Sequence, residues 1–232
     1  MISMLPSRMR TGVGGRAPGG GIWVKQVENT VHWFLCFLQG EHSGIRREYR
    51  LAAFQKSARH VTIVIDASPW GLGGALYVDH QLREYFADQV TADDVRILKI
   101  QEGNAESQQV LECLCILVAM KLWFSHWSHD RATFRARGDN ITMLVMVSEL
   151  KGRSPAVNLV TREVALLVAR AAFKPIGAEH TPGVANRVTD VLSRLTQPGK
   201  SGSLPREVLS AKRMHPPSRS ESYYIALRGP KA

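Results

Sequence analysis

The chain has 232 residues and a formal net charge of +10, with 44% hydrophobic and 22% charged residues. This composition excludes a disordered, collagen-like or coiled-coil chain and suits one globular unit with appendages. The longest apolar run, residues 111–124, contains Glu112 and Lys121 and is too short to span a bilayer, so no membrane partner is expected. Three cysteines cannot form a disulfide framework, which favours a reducing intracellular compartment, cytoplasmic or nuclear.

The two ends of the chain are basic and lack hydrophobic periodicity. Residues 1–21 are rich in glycine and arginine and are predicted to be a flexible arm. An organelle-targeting segment would carry similar charge, but it would also be amphipathic, and this segment is not. Residues 22–58 are expected to form a short helical lead-in, and residues 198–232 a basic, mostly disordered tail. The charge of both ends would attract a polyanion such as nucleic acid.

Residues 59–197 alternate between strand-like and helix-like patterns. Strands are predicted at 61–65, 75–78, 83–87, 133–137 and 175–179, and helices at 107–127, 140–150, 156–173 and 186–195. Gly71, Gly73 and Gly74 are expected to form the turn after the first strand. The element order β-β-β-α-β-α-α-β-α predicts an α/β domain, with a mixed five-stranded sheet flanked by helices.

Four acidic residues occupy informative places in this order. Asp66 ends the first strand and Asp139 ends the fourth, while Glu112 lies on the long helix and Asp190 on the last one. Acids at the carboxyl ends of strands lie where α/β sheets bind ligands. Four carboxylates brought together would repel one another by about 1 kcal/mol per pair in water and about 4 kcal/mol at a partly buried site. Bound cations would offset this repulsion, and oxygen ligands suit Mg²⁺ or Mn²⁺.

Several short motifs surround these acids. They are Ile65-Asp66-Ala67-Ser68 followed by Gly71 to Leu76, Glu112 followed by Cys115 and Ala119, Gly138-Asp139-Asn140, and Glu179-His180-Thr181-Pro182-Gly183 followed by Asn186, Asp190 and Leu192-Ser193-Arg194. With these motifs, residues 61–197 resemble the ribonuclease H domain of reverse transcriptases, most closely those of gypsy-like and DIRS-like retrotransposons. Cys115 and Thr189 stand where this family commonly has alanine. Residues 22–58 resemble the region that connects such a domain to its polymerase.

The resemblance implies a ribonuclease H-like fold and hydrolysis of the RNA strand of an RNA/DNA hybrid with two Mg²⁺ ions, or Mn²⁺. Asp66 would bridge both ions, Glu112 and Asp139 would hold one, and Asp190 the other. His180 would move protons or help the product leave. Substrate-binding roles would fall to Ser68, Asn140, Asn186 and Arg194. A reverse transcriptase polymerase domain, in cis or in trans, is the expected protein partner.

Two other functions are compatible with the same fold. The first is a catalytically silent nucleic-acid-binding or connection module, a retroelement remnant, whose mark would be the loss of acids. All four acids are present here. The second is a DNA-acting nuclease or recombinase, whose sites resemble a three-acid arrangement, whereas four acids with His180 fit the hybrid-cleaving type.

Overall fold

The computed structural model describes residues 31–32, 34–36, 38–40, 49, 51, 54, 59–128, 132–138, 140–152, 154–172, 177–180, 186–199 and 202–227. The chain divides into two compact units, one of residues 1–44 with 225–232 and one of residues 45–224. In the smaller unit, residues 31–32, 34–36 and 38 are helical, and Ile225–Leu227 forms a 3₁₀ turn. Among the described residues, no helix is both long enough and apolar enough to cross a membrane.

The larger unit is built on a mixed sheet. Its strands are β1 (Arg59–Ala67), β2 (Gly71–Val78), β3 (Gln81–Gln89), β4 (Ala132–Gly138), β5 (Gly177–His180) and β6 (Lys212–Arg213). β1, β2 and β3 form an antiparallel meander, while β4 pairs parallel to β1 and β5 parallel to β4. The short β6 pairs parallel to β3, so the order across the sheet is β5-β4-β1-β2-β3-β6. The predicted α/β class with a mixed sheet is confirmed, but over the described residues the sheet has six strands rather than five.

Helices pack on this sheet and on one another. They are α1 (Ala92–Leu98), α2 (Gln108–Leu122), α3 (Phe124–Trp127), α4 (Ile141–Glu149), α5 (Pro155–Arg170) and α6 (Arg187–Ser193). α2 packs against β1 and β2 and against α4 and α5, and residues 111–120 of α2 are all buried. At about 1.5–3 kcal/mol for each large apolar side chain removed from water, α2 is a principal source of core stability. α6 packs on β1, β2 and β3.

The helix α1 is absent from the sequence prediction, although the sequence carries the signal for its start. The Thr91 side chain accepts a hydrogen bond from the Asp94 backbone N–H, and the Asp94 carboxylate accepts one from the Thr91 backbone N–H. This reciprocal pair is a capping box, which satisfies two N–H groups that a helix start otherwise leaves unbonded. The sequence predicts one helix over 107–127, whereas the structure has two helices, α2 and α3, that meet at Trp123.

The glycines after β1 lie in a strand rather than in a turn, which corrects the prediction. β2 begins at Gly71, four residues before the expected start. A Cβ atom on Gly73 would lie 2.5 Å from the Thr189 carbonyl oxygen and 2.6 Å from the Ser193 backbone nitrogen. Because both neighbours are backbone atoms of α6, glycine is needed here for close helix packing.

The C-terminal segment is ordered over residues 202–224, where the sequence predicted disorder. It contains 3₁₀ turns at Arg206–Val208 and Glu221–Tyr223, as well as β6, and it buries Arg219 and Tyr224. Composition could not reveal this packing, because the carboxylates that bind Arg219 lie more than 120 residues away in the sequence. The compact unit therefore extends beyond the predicted boundary at residue 197.

Candidate functional site

Asp66 lies near the carboxyl end of β1 and is only 5% exposed. Its Oδ2 accepts a hydrogen bond from Ser193 Oγ at 2.7 Å. The Asn186 side-chain nitrogen lies 3.5 Å from Asp66 Oδ1 and also donates to the Ile65 carbonyl at 2.9 Å. The two donors come from the beginning and end of α6, so this helix fixes the orientation of the Asp66 carboxylate.

Glu112 brings a second buried carboxylate to the same end of β1. Its Oε1 accepts hydrogen bonds from the Ala67 backbone N–H at 3.1 Å and from Gln108 Nε2 at 3.0 Å. Gln108 precedes Glu112 by one helical turn and also donates to the Ala67 carbonyl. α2 thus directs Glu112 at the residue that follows Asp66.

Burial and nearby carboxylates raise the pKa of two cysteine thiols on α2. Cys115 Sγ lies 3.2 Å from the Asp66 carbonyl oxygen and 3.3 Å from the Gly73 carbonyl oxygen, so the thiol connects α2 to β1 and β2. Burial, reinforced by the charges of Glu112 and Asp66, raises the pKa of Cys115 well above its usual value. Burial and the Glu112 charge raise the pKa of Cys113 to about 12. Both thiols are therefore protonated at physiological pH and are poor nucleophiles.

Asp190 is a third acid, carried by α6. Its side chain is 42% exposed, and its Oδ1 lies 2.6 Å from Nε of Arg194, one turn further along the helix. Ser193 Oγ, which bonds Asp66, also lies 2.9 Å from the Asp190 carbonyl oxygen. The hydrogen bond to Asp190 raises the pKa of Arg194, with added contributions from the charges of Asp190 and Asp66. The guanidinium therefore acts electrostatically on both acids.

The predicted fourth acid, Asp139, lies outside the described residues. Its neighbours are described: Gly138 ends β4, the strand beside β1, and Asn140 begins the turn into α4. Within the part of the chain that the structure describes, no three His, Cys, Asp or Glu side chains form a group that could hold a metal ion. Asp66, Glu112 and Asp190 thus do not make a three-ligand metal site in this conformation.

The residues predicted to bind substrate have different surroundings. Ser68 is buried, and its hydroxyl donates to the Ser193 carbonyl and accepts from the Gly71 N–H. Asn140 caps α4 by accepting from the Met143 N–H at 3.2 Å, and Asn186 is buried against β1. Arg194 is the exposed member of the four. The hydrogen bonds of Ser68 and Asn186 therefore join elements of the fold around the site, and that of Asn140 caps a helix.

His180 ends β5 and is exposed, opposite Gly138 in the β4–β5 register. The residues that link it to α6, 181–185, lie outside the described residues. Sequence reasoning did not assign Ser193 and Gln108 to the site, although both carry its hydrogen bonds. Their spacing was a usable signal, since Ser193 follows Asp190 by three residues and Gln108 precedes Glu112 by four, which puts each pair on one helix face.

Comparison with protein-family models and with curated proteins finds no match to this chain. What the structure defines is an acidic site at the carboxyl end of a central strand in a mixed α/β sheet. Asp66 and Glu112 are its buried acids, and α6, which packs on β1, carries the half-exposed ion pair of Asp190 with Arg194.

Proposed function

We propose that the chain is a metal-dependent endonuclease of the ribonuclease H type that hydrolyses the RNA strand of RNA/DNA hybrids, as part of a retroelement reverse transcriptase. The observation that carries the proposal is the approach of Glu112 to Ala67, the residue after the buried Asp66 at the end of β1, beside the helix α6 that carries Asp190. Carboxylates at the carboxyl edge of a central strand are where an α/β sheet presents its ligand.

The donor set suits a hard divalent cation. Asp66, Glu112 and Asp190 offer only oxygen ligands, which Mg²⁺ and Mn²⁺ prefer. The donors described above for Asp66 and Glu112 are hydroxyl, amide and backbone N–H groups, so their hydrogen bonds orient the carboxylates without removing the negative charge. In the proposed enzyme these residues and Asp139 would hold two ions, which would activate a water molecule and stabilise the leaving oxygen.

The chain's own side chains have separable tasks in this proposal. Ser193 and Asn186 hold Asp66 in one orientation, and Gln108 does the same for Glu112. Preorganisation of this kind avoids reorganisation during the reaction. The exposed His180 imidazole would accept or deliver a proton in this proposal.

Cleavage of a labelled RNA/DNA hybrid in the presence of Mg²⁺ tests the proposal. We expect the wild-type chain to cut the RNA strand and Asp66→Asn to lose at least about a hundredfold in rate, because electrostatic stabilisation terms are of this size. Asp79→Asn is the matched control, since Asp79 is an exposed residue in the turn between β2 and β3 with a positive φ that asparagine tolerates. Equal rates for wild type and Asp66→Asn would refute the catalytic role.

Duplex DNA of the same sequence is the second substrate in this assay. Cleavage of the duplex DNA instead of the hybrid would indicate a DNA-acting nuclease.

A second candidate is a catalytically silent nucleic-acid-binding module. The observation that favours it is the ion pair with Arg194, which occupies Asp190 Oδ1. Hybrid binding without any cleavage would support this candidate.

A further inference from the structure

Arg194 occupies an unusual place for a residue expected to bind substrate. Its Nε lies 2.6 Å from Asp190 Oδ1, and the two side chains are 43% and 42% exposed. An ion pair one helical turn apart at this exposure contributes little to folding, so it breaks at small cost. The guanidinium also acts electrostatically on Asp66, which is held by the neighbouring Ser193.

The backbone that carries this pair is fixed. Gly73 of β2 lies directly against the α6 backbone at Thr189 and Ser193, and Ser68 Oγ donates to the Ser193 carbonyl at 2.7 Å. The α6 backbone around Asp190 is therefore fixed against the sheet. The Arg194 guanidinium stands at the end of a long, half-exposed side chain and can leave the carboxylate without disturbing the fold.

A divalent cation and a guanidinium compete for the same carboxylate. Two positive groups at one carboxylate repel each other, and the repulsion grows in a partly buried site. We propose that Arg194 is an internal counter-ion of the acidic site, which neutralises Asp190 in the metal-free protein and leaves it when a divalent cation binds. On this view Arg194 is a positioning residue that sets metal affinity. The inference rests on the proposed function.

Binding of Mn²⁺ to the full chain without nucleic acid, followed by electron paramagnetic resonance, tests this role. We expect Arg194→Gln to tighten Mn²⁺ binding by about two- to fivefold, the range that an exposed ion pair supplies. Arg194→Lys, which keeps the charge, should stay near the wild-type affinity. Arg187→Gln is the matched control because Arg187 is an exposed residue of α6 and the change in net charge is identical.

The outcomes separate this inference from the proposed function. Equal affinities in Arg194→Gln and Arg187→Gln, or weaker binding in Arg194→Gln, would overturn the counter-ion role even if the hybrid is cleaved. Tighter binding in Arg194→Gln with no cleavage by any variant would support the counter-ion role and refute the nuclease. A wild-type chain and variants that bind no Mn²⁺ would overturn both. Circular dichroism spectra of each variant check that the fold is intact.

Discussion

Asp66 and Asp94 are both buried aspartates, and the hydrogen-bond donors described for them differ in charge. Asp94 accepts three hydrogen bonds at 2.8–3.0 Å from the guanidinium of Arg219, whose side chain is 1% exposed. Arg219 also bonds Asp88 and the Gln89 carbonyl. Asp66, in contrast, accepts from the Ser193 hydroxyl and lies near the Asn186 amide.

The difference separates an acid inside a structural ion pair from the acid proposed to be functional. Burial by itself lowers the pKa of Arg219, but the hydrogen bonds and charges of Asp94 and Asp88 outweigh it and raise the pKa above its ordinary value. The cluster of Asp88, Asp94 and Arg219, which we call the latch, is thus compensated internally. The donors described for Asp66 are neutral groups, which orient its carboxylate.

The largest expected effect comes from removing the latch together with its segment. A chain that ends at residue 198 loses β6, Arg219 and Tyr224, which exposes the edge of β3 and leaves Asp94 buried without its guanidinium. We expect this truncation to lose cooperative thermal unfolding, whereas a chain that ends at residue 224 keeps it. Calorimetry of both decides the matter, and a stable fold ending at residue 198 would show that the C-terminal segment is dispensable.

The next effect isolates the latch itself. Arg219→Met keeps most of the side-chain volume but leaves Asp94 charged and buried, which costs about 3–5 kcal/mol for a broken buried pair. Arg96→Met is the control, because Arg96 makes similar contacts with Asp93 and Glu221 at the surface, where they contribute far less. Urea unfolding measures both, and equal losses would contradict the distinction between the two ion pairs.

The sequence predicted much of the sheet because its signals are local. β1, β3, β4 and the long helix α2 carry periodic apolar residues, and the predicted places of Asp66, Glu112 and Asp190 on their elements are those observed. The latch could not be predicted in the same way. The fold brings Arg219 together with Asp88 and Asp94, which are far from it in the sequence. The basic composition of residues 198–232 therefore predicted disorder.

The hydrogen bonds of the candidate site were equally beyond prediction from local sequence signals. The acids could be located from their elements, but the hydrogen bonds that orient them join Ser193 to Asp66 over 127 residues and Ala67 to Glu112 over 45 residues. The early start of β2 also depends on tertiary contact. Glycine usually indicates a turn, and only the approach of α6 explains why Gly73 lies in a strand.

Paired asparagine substitutions sharpen the contrast between the two buried acids. Asp94→Asn leaves the buried Arg219 without its main counter-charge, so we expect a loss of about 1–3 kcal/mol in the free energy of unfolding. Asp66→Asn keeps an acceptor for Ser193 and relieves repulsion with Glu112, so the free energy of unfolding should stay unchanged or rise slightly. Urea unfolding at pH 7 without metal provides both values. A larger loss for Asp66→Asn would reverse the assignment.

The last prediction concerns the buried thiol of Cys113, the residue that follows Glu112 on α2. Because burial and the Glu112 charge raise the pKa of Cys113 to about 12, its reactive thiolate is rare at pH 8, and we expect slow alkylation until urea unfolds the chain. The sign of the stability effect follows. Below pH 9 the thiol is protonated in both states, whereas between pH 9 and 12 the unfolded chain releases a proton that the folded chain keeps. Stability should therefore fall over this range by up to about 1.4 kcal/mol per pH unit for this cysteine, and Cys113→Ala should flatten the slope. Rapid labelling of native Cys113 at pH 8, read by peptide mass spectrometry, would mean that burial beside Glu112 does not keep this thiol neutral.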